Sequence, residues 1–231
     1  MTTRQDLRNL IRRRLGDTST PFQWSDLQVN QWINDSIAEH SVHFPRKLNT
    51  TINCSDDVRT YDLPANFRAA ISVEYPTGED PPAYLDRRPH THPSFYQQDG
   101  FYDILRRDDQ TNLPELWISQ GHYGSDGPTT GESIIFYYLG NHASLDDDTD
   151  VCTVPDVHLE LLVLFVRWAT YQELASKASA DPDPTSLSMG TLELNAFRAN
   201  REYRTKLKQW LAAESESATA SWAMDKYDCV Y

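Results

Sequence analysis

The chain has 231 residues, of which 39% are hydrophobic and 24% are charged, and its formal net charge is −13. This length and composition allow a buried core in one moderately large domain or in two small ones. The acidic balance argues against a protein that holds nucleic acid by neutralising phosphates, because that function requires clustered Lys and Arg.

Targeting segments, apolar runs and cysteines indicate the cellular compartment of the protein. The N-terminus has no continuous apolar run of signal-peptide length and no small-residue cleavage site, so we interpret it as mature protein. The longest apolar run, residues 161–166, is far below the roughly 20 residues that span a bilayer, and we expect no membrane segment. The three cysteines, Cys54, Cys152 and Cys229, form no CxxC pattern, which favours reduced thiols in a cytosol over a disulfide or zinc framework.

A short amphipathic helix is predicted near the N-terminus, with Thr3 available as its cap and Gly16 just past its end. Its apolar residues fall at helical spacing: Leu7, Leu10, Ile11 and Leu15. The end of this helix contains a basic run of three arginines. Because consecutive helix positions point in different directions, we expect a solvated end beside the C-terminal dipole rather than a patch that binds acidic groups. The run consists of Arg12, Arg13 and Arg14.

A second helix is predicted to start at a capping box, because Ser25 is followed three residues later by Gln28. Trp24 and Val29 occupy the hydrophobic-staple positions on either side of this start. Pro45 ends the helix. An apolar stripe predicts that it packs along one face: Trp32, Ile33, Ile37 and Phe44.

From about Thr50 the pattern changes to short segments that are rich in β-branched and aromatic residues. Clusters of Gly, Pro, Asn and Asp separate these segments, as expected of strands joined by turns. The middle of the chain is therefore predicted to be β-rich. The candidate strands are TTINC, VRTYDL, AAISVEY, FYDILRR, ELWIS and SIIFYYL.

Two more helices are predicted in the last third of the chain. Pro155 opens HLELLVLFVRWATYQELASKA, which is apolar almost all round at its centre and should form the most buried helix of the fold. The segment ADPDPTS interrupts the helical pattern. A fourth, strongly charged helix follows, with apolar residues at spacings of three or four: Leu192, Ala196, Ala199, Tyr203, Leu207 and Trp210.

This order of elements predicts an α+β fold, mainly an α-helical bundle of about four helices with an inserted β-rich section and an extended C-terminal tail. Residues 1–48 form the N-terminal helical pair and residues 49–150 form the β-rich insertion. Residues 151–213 form the C-terminal helical pair of the bundle, and residues 214–231 form a C-terminal arm.

The arm is polar, yet it contains aromatic and aliphatic residues that a free chain end has no reason to expose to water. We predict that it binds a partner and becomes ordered there, and the alternative is that it folds back on its own bundle. The predicted anchors are Trp222, Met224, Tyr227, Val230 and Tyr231.

Three stretches taken in order resemble the head-to-tail adaptor (connector) proteins of tailed bacteriophages: WSDLQVNQWINDSIAEHSVHFP, RTYDLPANFRAAISVEY and VPDVHLELLVLFVRWATYQEL. The matching motifs are Trp-x-Asp at residues 24–26, Trp-Ile-Asn at residues 32–34 and Asp-Leu-Pro at residues 62–64. The Leu-rich helix with Trp168 and Tyr171 completes the pattern. The resemblance covers most of the chain, and the order of the motifs is more specific than any one of them.

The resemblance implies a structural protein at the head-tail junction of the virion, made in the host cytoplasm. Its partners would be the portal protein, a tail or nozzle protein and copies of itself in a ring, usually of twelve. Genomic DNA would pass through the channel without specific binding. The arm would reach into the portal, and the portal or the adjacent subunit would provide the groove for the five anchors.

Catalytic and metal sites have little support in the sequence, which contains no GxSxG, GxxxxGK[ST] or GxGxxG motif. His40 and His43 could touch one ion, but no HExxH pattern supplies further ligands. His90 and His92 lie in a loop without a placed nucleophile. An acidic loop could bind a hard cation through its oxygens, but it lacks the EF-hand spacing, and we favour a solvated loop. Its carboxylates are Asp146, Asp147, Asp148 and Asp150.

We therefore predict that the protein is not an enzyme and that it has no cofactor, metal site or membrane segment. The alternative is a monomeric carbohydrate-active or hydrolytic domain whose acidic residues lie in the β section, because spacing alone cannot exclude a pair of catalytic carboxylates there.

Overall fold

In a computed structural model of the chain, the described residues form four α-helices and a seven-stranded sheet that curls into a half-barrel, an α+β architecture. Two compact units are present, one formed by Met1–Phe44 with Ala143–Tyr231 and the other by Pro45–His142. The chain thus leaves the helical unit once, for the sheet, and then returns to it. The structure describes residues 2–56, 58–98, 100–106, 114–119, 128–180 and 189–225.

Helix α1 spans Arg4–Leu15 and has the predicted cap at each end. The Thr3 hydroxyl accepts a hydrogen bond from the Asp6 backbone N–H at 3.2 Å, and the Asp6 carboxylate accepts one from the Thr3 N–H at 3.1 Å. At the other end Gly16 has φ 75°, a left-handed conformation that glycine adopts without a Cβ penalty. The local sequence therefore determines both ends of this helix.

Helix α2 spans Asp26–His43, and its predicted capping box is confirmed. The Ser25 hydroxyl accepts from the Gln28 N–H at 3.2 Å, while the Gln28 side-chain oxygen accepts from the Ser25 N–H. The ring of Trp24 meets that of Trp32 edge to face at 5.0 Å between centroids. All four residues of the predicted apolar stripe are buried: Trp32, Ile33, Ile37 and Phe44.

Helix α3 spans Leu159–Ala180 and packs against α1, α2 and the fourth helix, as expected of a central core helix. A 3-10 turn at Asp156–His158 precedes it, so Pro155 caps this turn rather than the first turn of the α-helix. Helix α4 spans Met189–Asp225 and lies along α3. Of its six predicted core residues, Trp210 is half-buried and the other five are buried. The buried ones are Leu192, Ala196, Ala199, Tyr203 and Leu207.

The predicted extended tail differs from the structure over residues 214–225, where the backbone continues α4 as a helix. Of the twelve residues in this stretch, three are Ala and two are Glu, which are strong helix formers. The stretch has no regularly spaced apolar residues that would form a core-facing stripe, but its residues still favour a helical backbone. Residues 226–231, the end of the predicted arm, lie outside the described residues.

The sheet has the order β1-β7-β3-β4-β5-β6-β2. Its pairs are antiparallel except for β4 with β5, which is parallel. All six predicted segments contain strands. The strands are β1 Arg46–Asn53, β2 Thr60–Asp62, β3 Phe67–Glu74, β4 Tyr84–Arg87, β5 Phe101–Arg106, β6 Pro114–Ile118 and β7 Ser133–Gly140.

Strand β7 organises the core of the sheet unit, since its buried residues alternate along the strand and pack in one hydrophobic cluster: Ile134, Phe136 and Tyr138. It lies between β1 and β3 and pairs with both. A Cβ added at Gly140 would lie 2.9 Å from Leu48 Cδ1 and 3.2 Å from the Asn66 carbonyl oxygen. The neighbouring strand and loop can approach this closely only because residue 140 is a glycine.

Candidate docking surfaces

An ion-pair cluster joins the N-terminal helix to the acidic loop before α3. Arg4 donates to Asp148 Oδ1 at 2.8 Å and Arg8 donates to Asp148 Oδ2 at 2.7 Å. Hydrogen bonds from Arg8, and then from Arg4, lower the pKa of Asp148 to about 2. Asp150 accepts two backbone N–H groups of the same loop, those of Asp146 and Asp147, each at 2.7 Å. Asp148 and Asp150, two of the four loop carboxylates, therefore bind groups of the protein itself.

We expect Asp148→Asn to destabilise the protein at pH 7, with a penalty that disappears in acid. Asp148 has a lower pKa in the folded state than the value of about 3.9 of an unfolded Asp, so its stabilisation is present above that value and is lost as the pH falls through about 2. Urea denaturation at several pH values measures the difference. Asp147→Asn removes the same charge from the same loop and should have little effect. An equal penalty for both variants would contradict this role.

The prediction of a fully solvated arginine run is wrong for Arg12, whose side chain is buried. Its guanidinium pairs with Asp17, donates to the Trp24 carbonyl oxygen at 2.9 Å and reaches Asp26 Oδ1 at 2.7 Å. The ring of Phe22 lies 4.0 Å from the guanidinium carbon. Arg12 thus ties the end of α1 to the start of α2. The other two residues of the run, Arg13 and Arg14, are exposed as predicted.

The two histidines of α2 have different environments. His40 is buried and its Nε2 lies 3.0 Å from Nδ1 of His158, whose ring meets that of Trp210 edge to face. Burial lowers the pKa of His158, although Glu214 opposes this effect. His43 is half-buried and lies 3.5 Å from Glu39. The pair therefore does not converge on one ion, and among the described residues no group of three or more potential ligands is arranged to hold a metal.

The histidines of the β section belong to separate local contacts. His90 binds Asp103 through both its backbone N–H and its ring Nδ1, each at 2.8 Å. Burial raises the pKa of Asp103, but these hydrogen bonds and one from the Ile104 N–H outweigh it and lower the pKa. His92 Nδ1 lies 2.6 Å from the hydroxyl of Ser94.

A catalytic triad needs one histidine between a carboxylate and a hydroxyl. Here His90 contacts the carboxylate, whereas His92 contacts the hydroxyl and caps the 3-10 turn Pro93–Tyr96. These two histidines therefore stabilise a loop and do not form a triad with the groups they contact.

The predicted anchors fall largely beyond what the structure describes. Trp222 and Met224 lie on the last turns of α4, where the backbone alone is described. Tyr227, Val230 and Tyr231 lie outside the described residues. Their role in binding a partner stays a prediction.

Outward-facing apolar residues on two helices are the feature that the sequence analysis missed. Leu27 and Val42 on α2 are exposed, and so are Leu194 and Phe197 on α4. The signal was present in the helical periodicity, because each of these residues falls outside the core stripe of its own helix. In the part of the chain that the structure describes, no helix is long and apolar enough to cross a membrane.

The family model described as SU10 adaptor protein matches residues 2–223, nearly the full length. Of the elements that the structure describes, the match covers α1, α2, α3, all seven strands and α4 except its last two residues. Comparison with curated proteins finds no match.

Proposed function

The chain belongs to the SU10 adaptor protein family, and from this we propose that it forms a ring that joins the portal to the tail of a phage and lets DNA pass. The observation that supports this most strongly is the family match across residues 2–223. An adaptor works through its surfaces, in agreement with helices built for packing and with loop histidines held in local contacts. Family membership suggests a structural, non-enzymatic role in the virion.

The proposed ring consists of copies of this chain, twelve in number, with the portal protein on one side and a tail or nozzle protein on the other. A net charge of −13 per copy is compatible with a channel wall that does not bind DNA phosphates, since binding of DNA would require clustered cations facing the channel.

Within this ring, the arm at residues 214–231 is proposed as the attachment to the portal or to the adjacent subunit. Ordering a chain end costs conformational entropy, and a few buried aromatic anchors can offset that cost. The helical backbone as far as Asp225 reduces it, because those residues already have helical dihedrals before binding. The proposed anchors are Trp222, Met224, Tyr227, Val230 and Tyr231.

Cryo-electron microscopy of phage heads without tails, incubated with the purified protein, tests the ring. We expect added density with the symmetry of twelve copies at the portal vertex and nowhere else on the head. Procapsid-like shells assembled without portal provide the control and should stay bare. Protein that binds portal-free shells equally, or none bound at the portal vertex, would contradict the proposed function.

A further inference from the structure

The solvent side of α2 forms a continuous stripe, which we call the α2 stripe. Its members recur every three or four residues and are all exposed: Leu27, Gln31, Asp35, Ala38 and Val42. The apolar residues lie at its two ends, where Leu27 is 79% and Val42 is 55% exposed. Asp35 lies in its middle and Glu39 lies beside it. Helix α2 contains no Lys or Arg, so the stripe is acidic at its centre.

The solvent side of α4 forms a second stripe with the opposite charge, which we call the α4 stripe. Its members follow the spacing three, four, three, four, three and are all exposed: Leu194, Phe197, Arg201, Arg204, Lys208 and Leu211. The apolar residues again lie at its ends, where Phe197 is 66% exposed. Three cations occupy the centre. The α4 stripe is therefore a basic patch on a chain of net charge −13.

The two stripes are similar in length and opposite in the sign of their charge. At a rise of about 1.5 Å per residue, the α2 stripe is about 22 Å long and the α4 stripe about 25 Å. Each has apolar ends and a charged centre, so that alignment brings carboxylates to guanidinium groups and apolar side chains to one another. Both helices pack on α3, and among the described residues the members of both stripes remain exposed.

We propose that the α4 stripe of one copy docks on the α2 stripe of the next copy. Because the two surfaces differ, the contact is heterologous, and repetition of a heterologous contact closes a ring when its rotation divides a full turn. This inference rests on the proposed function and names the surfaces by which its copies meet. Neighbouring copies are the partner favoured here, since the acidic complement of the α4 stripe is present on the same chain.

Duplex DNA is a less suitable occupant of the α4 stripe. DNA would engage the three cations, but its phosphates offer nothing to Leu194, Phe197 and Leu211 at the ends. A helix of another subunit satisfies both the charged centre and the apolar ends. The remainder of the acidic subunit surface would also repel DNA.

Charge reversal followed by mixing tests the interface. One variant carries Arg201→Glu and Arg204→Glu, and the other carries Asp35→Arg and Glu39→Arg. Each variant alone should place at least about tenfold fewer copies per head than the natural protein, since like charges would then face each other. An equimolar mixture should restore assembly, because in an alternating ring every contact pairs opposite charges again.

A control matched to the α4 variant carries Arg13→Glu and Arg14→Glu, the same change in charge at the exposed end of α1, and should assemble normally. Full assembly by either stripe variant alone, or a mixture that stays as poor as its components, would overturn the proposal. So would binding of a duplex oligonucleotide that the α4 reversal abolishes while the number of copies per head is unchanged.

Two measurements distinguish a failure of this interface from a failure of the proposed function. Natural protein that does not join heads contradicts the adaptor ring. The interface is then decided by sedimentation of the mixed variants at high protein concentration. Heterodimers would support the interface, and their absence would overturn it.

Discussion

Replacing Trp32 by Ala will destabilise the helical unit by about 3–5 kcal/mol, the cost of deleting a large buried aromatic side chain. Trp32 is 8% exposed and packs in the cluster that joins α1, α2 and α3. Its ring also meets Trp24 edge to face, a contact that Ala cannot make. Guanidinium denaturation followed by far-ultraviolet circular dichroism measures the change in the free energy of unfolding.

Trp168→Ala is the control for this prediction. Trp168 is half-buried in α3, where it stacks on Tyr203 and meets Phe165 edge to face. It retains solvent contact in the folded state, so its truncation should cost less than that of Trp32. A loss below about 1 kcal/mol for Trp32→Ala, or a larger loss for Trp168→Ala, would show that the helical core is packed differently.

Features that depend on neighbouring residues were predictable from the sequence. The capping boxes at Thr3 and Ser25 each join residues three apart, and Gly16 ends α1 through its own backbone preference. Strand β7 was likewise predicted from the β-branched and aromatic residues of its own segment, SIIFYYL. In each case the sequence contains both partners of the stabilising contact within one turn or one strand.

Features that depend on distant residues were not predictable. Strand β4 pairs through only two residues on each side, too few to produce an alternating pattern. Arg12 is buried because Asp17, Asp26 and the Trp24 carbonyl converge on it, and spacing along α1 gives no sign of them. The role of Asp148 likewise depends on arginines 140 and 144 positions away.

The candidate surfaces were also predictable in part from the sequence. The exposed ends of the two stripes follow from helical periodicity, and a search for apolar residues opposite the core would have found them. That the two stripes are exposed, rather than covered by another helix of the same unit, could be learned only from the packing of the described residues. The anchors of the arm came from composition, and the structure describes only the backbone at Trp222 and Met224.

Deletion of everything after Ala213 will abolish attachment to portal-containing heads and leave the isolated protein folded. The apolar residues of α4 that pack in the core end at Trp210, so the truncation removes the charge of Glu214 near His158 but no described apolar core contact. A second variant keeps the helix but replaces the three aromatic anchors by Ala, and it should lose attachment as well. The anchors replaced are Trp222, Tyr227 and Tyr231. A matched control with Ser215→Ala and Ser217→Ala changes polar residues of the same arm and should attach normally.

Quantitative binding of the full chain and of residues 1–213 to tailless, portal-containing heads tests the adaptor role most directly. Thermal unfolding of both proteins is measured in parallel. We predict saturable binding of the full chain, no detectable binding of the truncated chain and a near-normal unfolding temperature for the truncated chain. Failure of the full chain to bind, unchanged affinity of the truncated chain, or its unfolding would contradict the account.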